Sequence, residues 1–167
     1  MARFNSKIST NTEAFSKNRA DMLALVEQVR ELEARAEAAS NKSRPRFEKR
    51  GQIMPRERVA RLLDPGAPFL EIGNMAGFLR DTKKRERTIP GAGMICGIGS
   101  VNGTRCMIVA TDSGINAGAI SEIGGAKIRR CQTIALENKL PFIHLVESAG
   151  ANLLEYRVQL FVEGGAL

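Results

Sequence analysis

The sequence predicts an α/β fold in which a helical segment precedes a β-hairpin and a strand–helix–strand unit. Three observations support this prediction. Apolar residues recur every three or four positions near the N-terminus, Asn102-Gly103 separates two apolar runs, and a strand, a helix and a strand follow one another over 104–146. These patterns are typical of an amphipathic helix, a hairpin and a parallel strand pair, respectively.

The N-terminal helix is predicted from its apolar spacing. The stripe consists of Met22, Leu25, Val29, Leu32 and Ala36. Thr10 and Glu13 have the spacing of a capping box, in which each side chain accepts a hydrogen bond from an unpaired backbone N–H. The pattern ends near Ser40. We therefore expect one helix that packs on a larger body along a single face.

A basic linker over 42–51 follows, where Pro45 and Gly51 are expected to interrupt regular structure. A short helix is predicted over 55–63 because proline is tolerated in the first helical turn. The Asp-Pro-Gly sequence at 64–66 should end it.

The hairpin is the most strongly predicted element. Asn and Gly both tolerate the positive φ of a two-residue turn, so Asn102-Gly103 predicts paired strands at 94–101 and 104–111. The run 106–110 is apolar at every position, which indicates a strand covered on both faces. A further short strand is expected at 69–72.

The parallel unit follows the hairpin. A loop rich in small residues spans 112–125, a helix is predicted over 126–138, and a buried strand over 142–146. The buried face of this helix is expected to contain Ile128, Cys131, Ile134 and Ala135. A strand–helix–strand connection makes the two strands parallel with a right-handed crossover.

The net charge of +7 is concentrated in the middle of the chain. Residues 42–61 contain eight basic and two acidic side chains, and the polar loop 80–92 contains five basic ones. Such a surface suits nucleic acid, a membrane surface or an anionic small molecule. No apolar stretch approaches the length of a membrane-spanning helix, and the N-terminus lacks the apolar core of a secretory signal.

Metal and thiol chemistry is poorly supplied. Cys96, Cys106 and Cys131 are widely spaced and form no CxxC pair, so we expect buried, reduced thiols and no zinc site. The single histidine, His144, argues against a serine triad. We expect a hydrogen-bonded core histidine, with a role near a bound substrate as the alternative.

Two loops leave the carboxyl ends of the predicted parallel strands, where open parallel sheets form their sites. One begins at Asp112 and carries Ala117 and Gly118, and the other follows the strand that ends at 146. If Gly150 and Ala151 open a helix, their N–H groups are free to hold a developing oxyanion. A tight connection without a catalytic role is the alternative. Glu147 lies next to this turn and is a candidate general base, but it is left without an assigned role.

Several ordered motifs resemble the carboxyltransferase (β) subunits of biotin-dependent acyl-CoA carboxylases. The motifs lie at 55–66, 90–103, 110–112, 135–141 and 147–153. The Ala-Asn-Leu sequence that ends at position 153 resembles the methylcrotonyl-CoA and geranyl-CoA carboxylase branch. The propionyl-CoA and acetyl-CoA branch usually has arginine where this chain has Asn152. The N-terminal helix and the residues around 49–71 resemble geranyl-CoA carboxylase. The resemblance covers about 12–167.

The resemblance implies an incomplete crotonase-like fold with an N-terminal helical extension. Residues 1–66 would form the extension and basic linker, and 67–167 the start of the acyl-CoA-binding domain. In this family, carboxybiotin on a partner subunit yields carbon dioxide and a biotin enolate that removes a proton from the acyl thioester. The thioester enolate then attacks carbon dioxide. Neither a metal ion nor a side-chain nucleophile is required at this site.

The resemblance also implies site residues. Gly150 and Ala151 match the hole for the thioester oxygen, and Gly118 matches the second glycine of a Gly-Gly loop beside the CoA. Ala117 stands where the family commonly has the first glycine. Lys127 is a candidate ligand for the CoA phosphates. The other candidate phosphate ligands are Arg44, Arg46, Lys49, Arg50, Arg129 and Arg130.

The expected partners are acyl-CoA, a biotin carboxylase or biotin carrier α subunit, and further β subunits. Neither nucleic acid nor a membrane is expected as a partner. The expected location is the cytoplasm, or the mitochondrial matrix in a eukaryote. The alternatives are a biotin-dependent acyl-CoA decarboxylase subunit, a crotonase-type hydratase, a nucleic-acid-binding module and an inactive acyl-CoA-binding fragment. Because the family's biotin-binding half is missing here, we expect a fragment or a truncated reading frame.

Overall fold

A computed structural model describes residues 5–80 and 82–150. Four α-helices and four strands occur in these ranges, and the strands form one mixed sheet in the order β1-β2-β3-β4. The helices are α1 (Glu13–Asn41), α2 (Arg44–Lys49), α3 (Pro55–Leu62) and α4 (Glu122–Glu137). The strands are β1 (Leu70–Glu71), β2 (Met94–Val101), β3 (Thr104–Thr111) and β4 (Phe142–Leu145).

Helix α1 forms where the apolar spacing predicts it, but two details differ. Its N-cap is Thr12, whose hydroxyl accepts a hydrogen bond from the N–H of Phe15, so the predicted capping box of Thr10 is wrong. Only the C-terminal part of α1 packs on the body. Leu32 is 6% exposed, whereas Met22 is 59% exposed. The predicted stripe is therefore continuous in sequence but only partly covered within the described residues.

The basic linker is helical, which corrects the prediction for 42–51. Helix α2 forms there because Pro45 lies in its first turn, where the missing N–H costs no hydrogen bond. Phe47 is buried and anchors the helix. Gly51 ends the segment with a φ of +63°. Helix α3 begins at Pro55, as predicted.

The hairpin has the predicted bounds. Val101 of β2 pairs with Thr104 of β3, and the turn residues Asn102 and Gly103 have positive φ. The carboxylate of Asp64 accepts both turn N–H groups, at 2.6 Å from Asn102 and 2.8 Å from Gly103. The turn that ends α3 thus also fixes the hairpin.

Strands β3 and β4 are parallel, as predicted, with Met107 opposite Phe142. Helix α4 connects them but begins four residues before the predicted start at 126. The hydroxyl of Ser121 caps it by accepting the N–H of Gly124, so the two glycines predicted to be loop lie in the first turn.

Strand β3 is covered on both faces, as its composition predicts. On one face, Met107 and Val109 pack against Cys131 and Ala135 of α4. On the other face, Ile108 belongs to a cluster that includes Val59 of α3. All three cysteines are free and buried, as expected.

Gly97 lets β1 approach β2 closely. A Cβ atom at this position would lie 2.5 Å from the ring of Phe69 and 2.6 Å from the carbonyl oxygen of Leu70. We therefore expect Gly97→Ala to lower the free energy of unfolding by roughly 2 kcal/mol, because overpacking forces the backbone to shift. Urea denaturation measures this loss. Ser100→Ala on the same strand is the control, and equal stabilities for the two variants would contradict the close approach.

Candidate functional site

Two loops meet at the carboxyl ends of β3 and β4, where the sequence predicts the site. Three hydrogen bonds join them. The hydroxyl of Ser148 donates to the carbonyl of Gly118 at 2.6 Å. The N–H of Ala149 donates to the carbonyl of Ala117 at 3.2 Å, and the N–H of Ile120 donates to the carbonyl of Gly150 at 2.9 Å. The structure thus brings Ala117, Gly118 and Gly150 together.

The first loop contains a 3₁₀ turn, Asn116–Gly118, with left-handed backbone angles. Gly118 is buried and has a φ of +72°. A Cβ atom there would lie 2.3 Å from the carbonyl oxygen of Glu147, so only glycine fits between the loops. Ala117 is also left-handed, with a φ of 53°. The loop therefore keeps this strained geometry although alanine replaces the expected glycine.

The second loop follows β4 and contains Gly150, the last of the described residues. Gly150 has a φ of +98°, and its N–H donates to the hydroxyl of Ser148 at 2.9 Å. This N–H was expected to be free, whereas here it already has an oxygen acceptor. Ala151, the other residue of the expected oxyanion hole, lies outside the described residues. The oxyanion hole remains a prediction.

Helix α3 contacts the second loop through an ion pair. The guanidinium of Arg58 lies 2.8 Å from the carboxylate of Glu147, and each side chain is about 30% exposed. Since this carboxylate already has a cationic partner, the structure adds no argument for Glu147 as a general base.

Lys127 has buried partners. Its ammonium donates to the carbonyl of Met94 at 2.7 Å and to that of Gly91 at 3.2 Å. Burial lowers the pKa of this lysine. These contacts tie α4 to the first residue of β2 and to the turn before it. They argue against Lys127 as a CoA ligand, and its role in CoA binding stays a prediction. Arg129 and Arg130 on the same helix are exposed.

Asp112, where the sequence predicts only the start of a loop, is buried and fixes that loop to the body of the protein. Its buried carboxylate accepts hydrogen bonds from the hydroxyl of Ser40 at 2.6 Å and from the N–H of Gly114 at 3.1 Å. Burial raises the pKa of Asp112, while these two donors and the charge of Arg56 act in the opposite direction. The Asp-Ser-Gly sequence after a strand is a signal for this turn.

His144 lies on β4 with its ring edge against Phe142, at 6.2 Å between ring centres. Burial lowers its pKa, so the neutral imidazole is favoured. Its Nε2 atom is buried and has no hydrogen-bond partner in the part of the chain that the structure describes. The sequence predicts a hydrogen-bonded core histidine, and for Nε2 of His144 this prediction is wrong within the described residues.

A cleft of about 200 Å³ opens between α2 and the two loops. Arg46, Arg50 and Gln52 lie on one side, and Ala117 and Ser148 on the other. Arg46 and Arg50, which belong to the segment predicted as a linker, therefore lie beside the predicted site.

A larger cleft of about 500 Å³ lies beside the Asn116–Gly118 turn. Its apolar lining residues are Ile89, Ala92, Ile115, Ala119 and Ile123. Asn116 lines this larger cleft, whereas Ala117 lines the smaller one.

The described residues contain neither a metal-binding cluster nor a membrane-spanning helix. Between residues 5 and 150, leaving out 81, no group of three or more His, Cys, Asp or Glu side chains is arranged to hold a metal ion. Across the same positions, no helix has the length and apolar character needed to cross a membrane.

Comparison with known proteins decides the family. The model of the carboxyl transferase domain matches residues 46–166. The chain belongs to the carboxyl transferase domain family. It is 45% identical over 124 residues to the β1 subunit of a biotin-dependent 3-methylcrotonyl-CoA carboxylase from Mycobacterium tuberculosis, covering 73% of this chain and 22% of that protein. It is 37% identical over 151 residues to the mitochondrial methylcrotonoyl-CoA carboxylase β chain of Arabidopsis thaliana, covering 87% and 24%.

The solved structures agree with this assignment. The β subunit of geranyl-CoA carboxylase from Pseudomonas aeruginosa superposes with a TM-score of 0.86 at 48% identity, covering 97% of this chain and 30% of that one. The predicted resemblance to the geranyl-CoA and methylcrotonyl-CoA branch and the crotonase-like α/β fold are therefore confirmed. The chain spans 22–30% of the length of these relatives.

The contacts of Lys127 give a test of its role. We expect Lys127→Met to lower the free energy of unfolding by about 2 kcal/mol, because two carbonyl groups lose a charged donor. Urea denaturation measures stability, with the exposed Arg129→Met as the control. A variant that keeps wild-type stability but loses affinity for acyl-CoA would instead identify Lys127 as a ligand.

Proposed function

We propose that the chain is the N-terminal, acyl-CoA-binding part of a carboxyltransferase subunit of a biotin-dependent acyl-CoA carboxylase. The observation that carries this proposal is the 48% identity to the geranyl-CoA carboxylase β subunit over 97% of the chain. The substrate is the CoA thioester of an unsaturated, branched acid. The second substrate, carboxybiotin on a partner subunit, supplies the carboxyl group. Further copies of the same polypeptide complete the enzyme.

The N–H of Gly150 is the proposed donor to the thioester oxygen, and its contact with a hydroxyl oxygen supports this role. The hydroxyl oxygen of Ser148 lies 2.9 Å from the Gly150 nitrogen, which is the distance expected for an oxyanion acceptor. In the proposed complex the thioester oxygen replaces this hydroxyl, and Ala151 supplies the second N–H. Loss of a proton from the acyl group places negative charge on that oxygen. Preorganised N–H donors then stabilise the enolate more than the ground-state thioester.

The two clefts suit the two ends of an acyl-CoA. Arg50 gives the smaller cleft a positive charge, which favours the phosphates of CoA. The other two charged lining residues have partners within the fold, since Arg46 donates to the carbonyl of Ser113 and Glu147 pairs with Arg58. Three isoleucines line the larger cleft together with Arg80 and Glu122, and the isoleucine side chains offer contact to an acyl chain. The Asn116–Gly118 turn lies between them and would face the thioester.

The proposed location follows from the family. We place the protein in the cytoplasm, or in the mitochondrial matrix if its source is a eukaryote. The mitochondrial alternative is supported by the Arabidopsis relative, which is named as mitochondrial.

The central experiment measures carboxylation of an unsaturated, branched acyl-CoA by the complete polypeptide with its biotin-carrying partner. We expect Gly150→Ala to lower kcat by about 100-fold or more, because a side chain at its positive φ displaces the N–H donor. Gly66→Ala is the matched control, since Gly66 also has a positive φ and open space around it.

Three outcomes would contradict this proposal. They are wild-type carboxylation in the Gly150→Ala variant, decarboxylation without carboxylation, and preferential binding of oligonucleotides over acyl-CoA.

The charge of the smaller cleft gives a separate prediction. We expect Arg50→Gln to raise KM for acyl-CoA by about tenfold with little change in kcat, because removing a uniform ion-pair contact weakens ground state and transition state alike. Steady-state kinetics measures both constants. Arg61→Gln, at an exposed position in α3, is the control for loss of one charge. An unchanged KM in Arg50→Gln would show that the phosphates bind elsewhere.

A further inference from the structure

Three side chains, one from the end of α1, one from α2 and one from the residues between them, hold three consecutive residues after β3. The hydroxyl of Ser40 donates to the carboxylate of Asp112 at 2.6 Å. The hydroxyl of Ser43 donates to the carbonyl of Gly114 at 2.8 Å. The guanidinium of Arg46 completes this set of contacts, which we call the clasp, and donates to the carbonyl of Ser113 at 2.9 Å.

The clasp is tightly packed. Ser40 is 4% exposed and Asp112 is 3% exposed, so their hydrogen bond is shielded from water. A Cβ atom at Gly114 would lie 2.3 Å from the hydroxyl of Ser40 and 2.9 Å from its carbonyl oxygen. The loop can therefore meet α1 at this distance only with glycine at position 114.

Backbone hydrogen bonds connect the clasp to the candidate site. The N–H of Ile115 donates to the carbonyl of Asp112 at 3.0 Å, and the N–H of Gly118 donates to the carbonyl of Ile115 at 2.9 Å. Gly118 in turn lies against the backbone of Glu147. A continuous run of backbone contacts thus joins the clasp to the contact between the two loops.

We propose that Ser40, Ser43 and Arg46 are positioning residues that set the first loop at the distance needed for catalysis. This inference rests on the proposed function, because it takes the turn at Ala117 and Gly118 as part of the acyl-CoA site. It gives the N-terminal helical extension a role in the reaction besides folding and charge. The serines act only through the loop backbone, since neither lines the cleft.

A positioning role predicts a specific kinetic signature. If the clasp orients the loop for the developing charge, its loss lowers kcat and leaves KM for acyl-CoA nearly unchanged. This is the reverse of the effect expected for Arg50→Gln. We expect Ser43→Ala to lower kcat about tenfold, as one lost hydrogen bond of about 1.4 kcal/mol in the transition state would do.

The experiment uses the complete polypeptide with its biotin-carrying partner. The test variants are Ser43→Ala and Arg46→Gln, and the rescue variants are Ser43→Thr and Arg46→Lys, which restore a hydroxyl and a cationic donor. Lys42→Gln is the control, because this exposed lysine lies between the two serines in sequence and, among the described residues, its ammonium makes no hydrogen bond to the loop. Carboxylation kinetics and the thermal midpoint are measured for each protein.

The expected result is a lower kcat in both test variants, recovery in both rescue variants, and wild-type behaviour in the control. Wild-type kcat in folded Ser43→Ala and Arg46→Gln proteins would overturn the proposal. If Ser43→Ala does not fold, the exposed Arg46 provides the test alone. If the wild-type protein fails to carboxylate any acyl-CoA, the proposed function fails instead. Amide hydrogen exchange at Gly114 and Gly118 then decides about the clasp, since unchanged exchange in the test variants would overturn it.

Discussion

Strand β3 is covered on both faces, by α4 on one side and by α3 on the other. Thr104 and Arg105 at its start are exposed, but positions 106–111 are buried, where an unpaired polar group is costly. The chain can therefore place polar chemistry only where the strand ends, at Thr111 and Asp112. Because β4 runs parallel to β3, its carboxyl end reaches the same edge of the sheet. The burial of one strand thus determines where two loops meet and where a substrate can approach.

The helical extension serves this edge directly. Ser40, Ser43 and Arg46 contact the loop after β3, and Arg58 contacts the loop after β4 through Glu147. Ser43, Arg46 and Arg58 come from the segment 42–61, which carries most of the net positive charge. Part of that charge is therefore used within the fold, while Arg50 remains at the cleft for an anionic ligand.

Local signals predicted much of the fold. The Asn102-Gly103 turn fixed the hairpin bounds, because its geometry is determined by two adjacent residues. The predicted start of α4 lies four residues too far along the chain. Gly124 and Gly125 are poor helix formers, and the packing of Gly124 against Ala92 cannot be read from the sequence. The loops of the site were predicted from strand order and small residues. The contact of Ser40 with Asp112 joins positions 72 residues apart, so no local pattern reveals it.

The approach of β1 to β2 has an evolutionary consequence. The ring of Phe69 occupies the space that a side chain at Gly97 would need, and both Leu63 and Phe69 lie close to the backbone of Gly99. The carbonyl oxygen of Leu70 also occupies the space beside Gly97, and a smaller side chain at 69 does not move it. Related sequences should therefore keep glycine at position 97 even where position 69 changes.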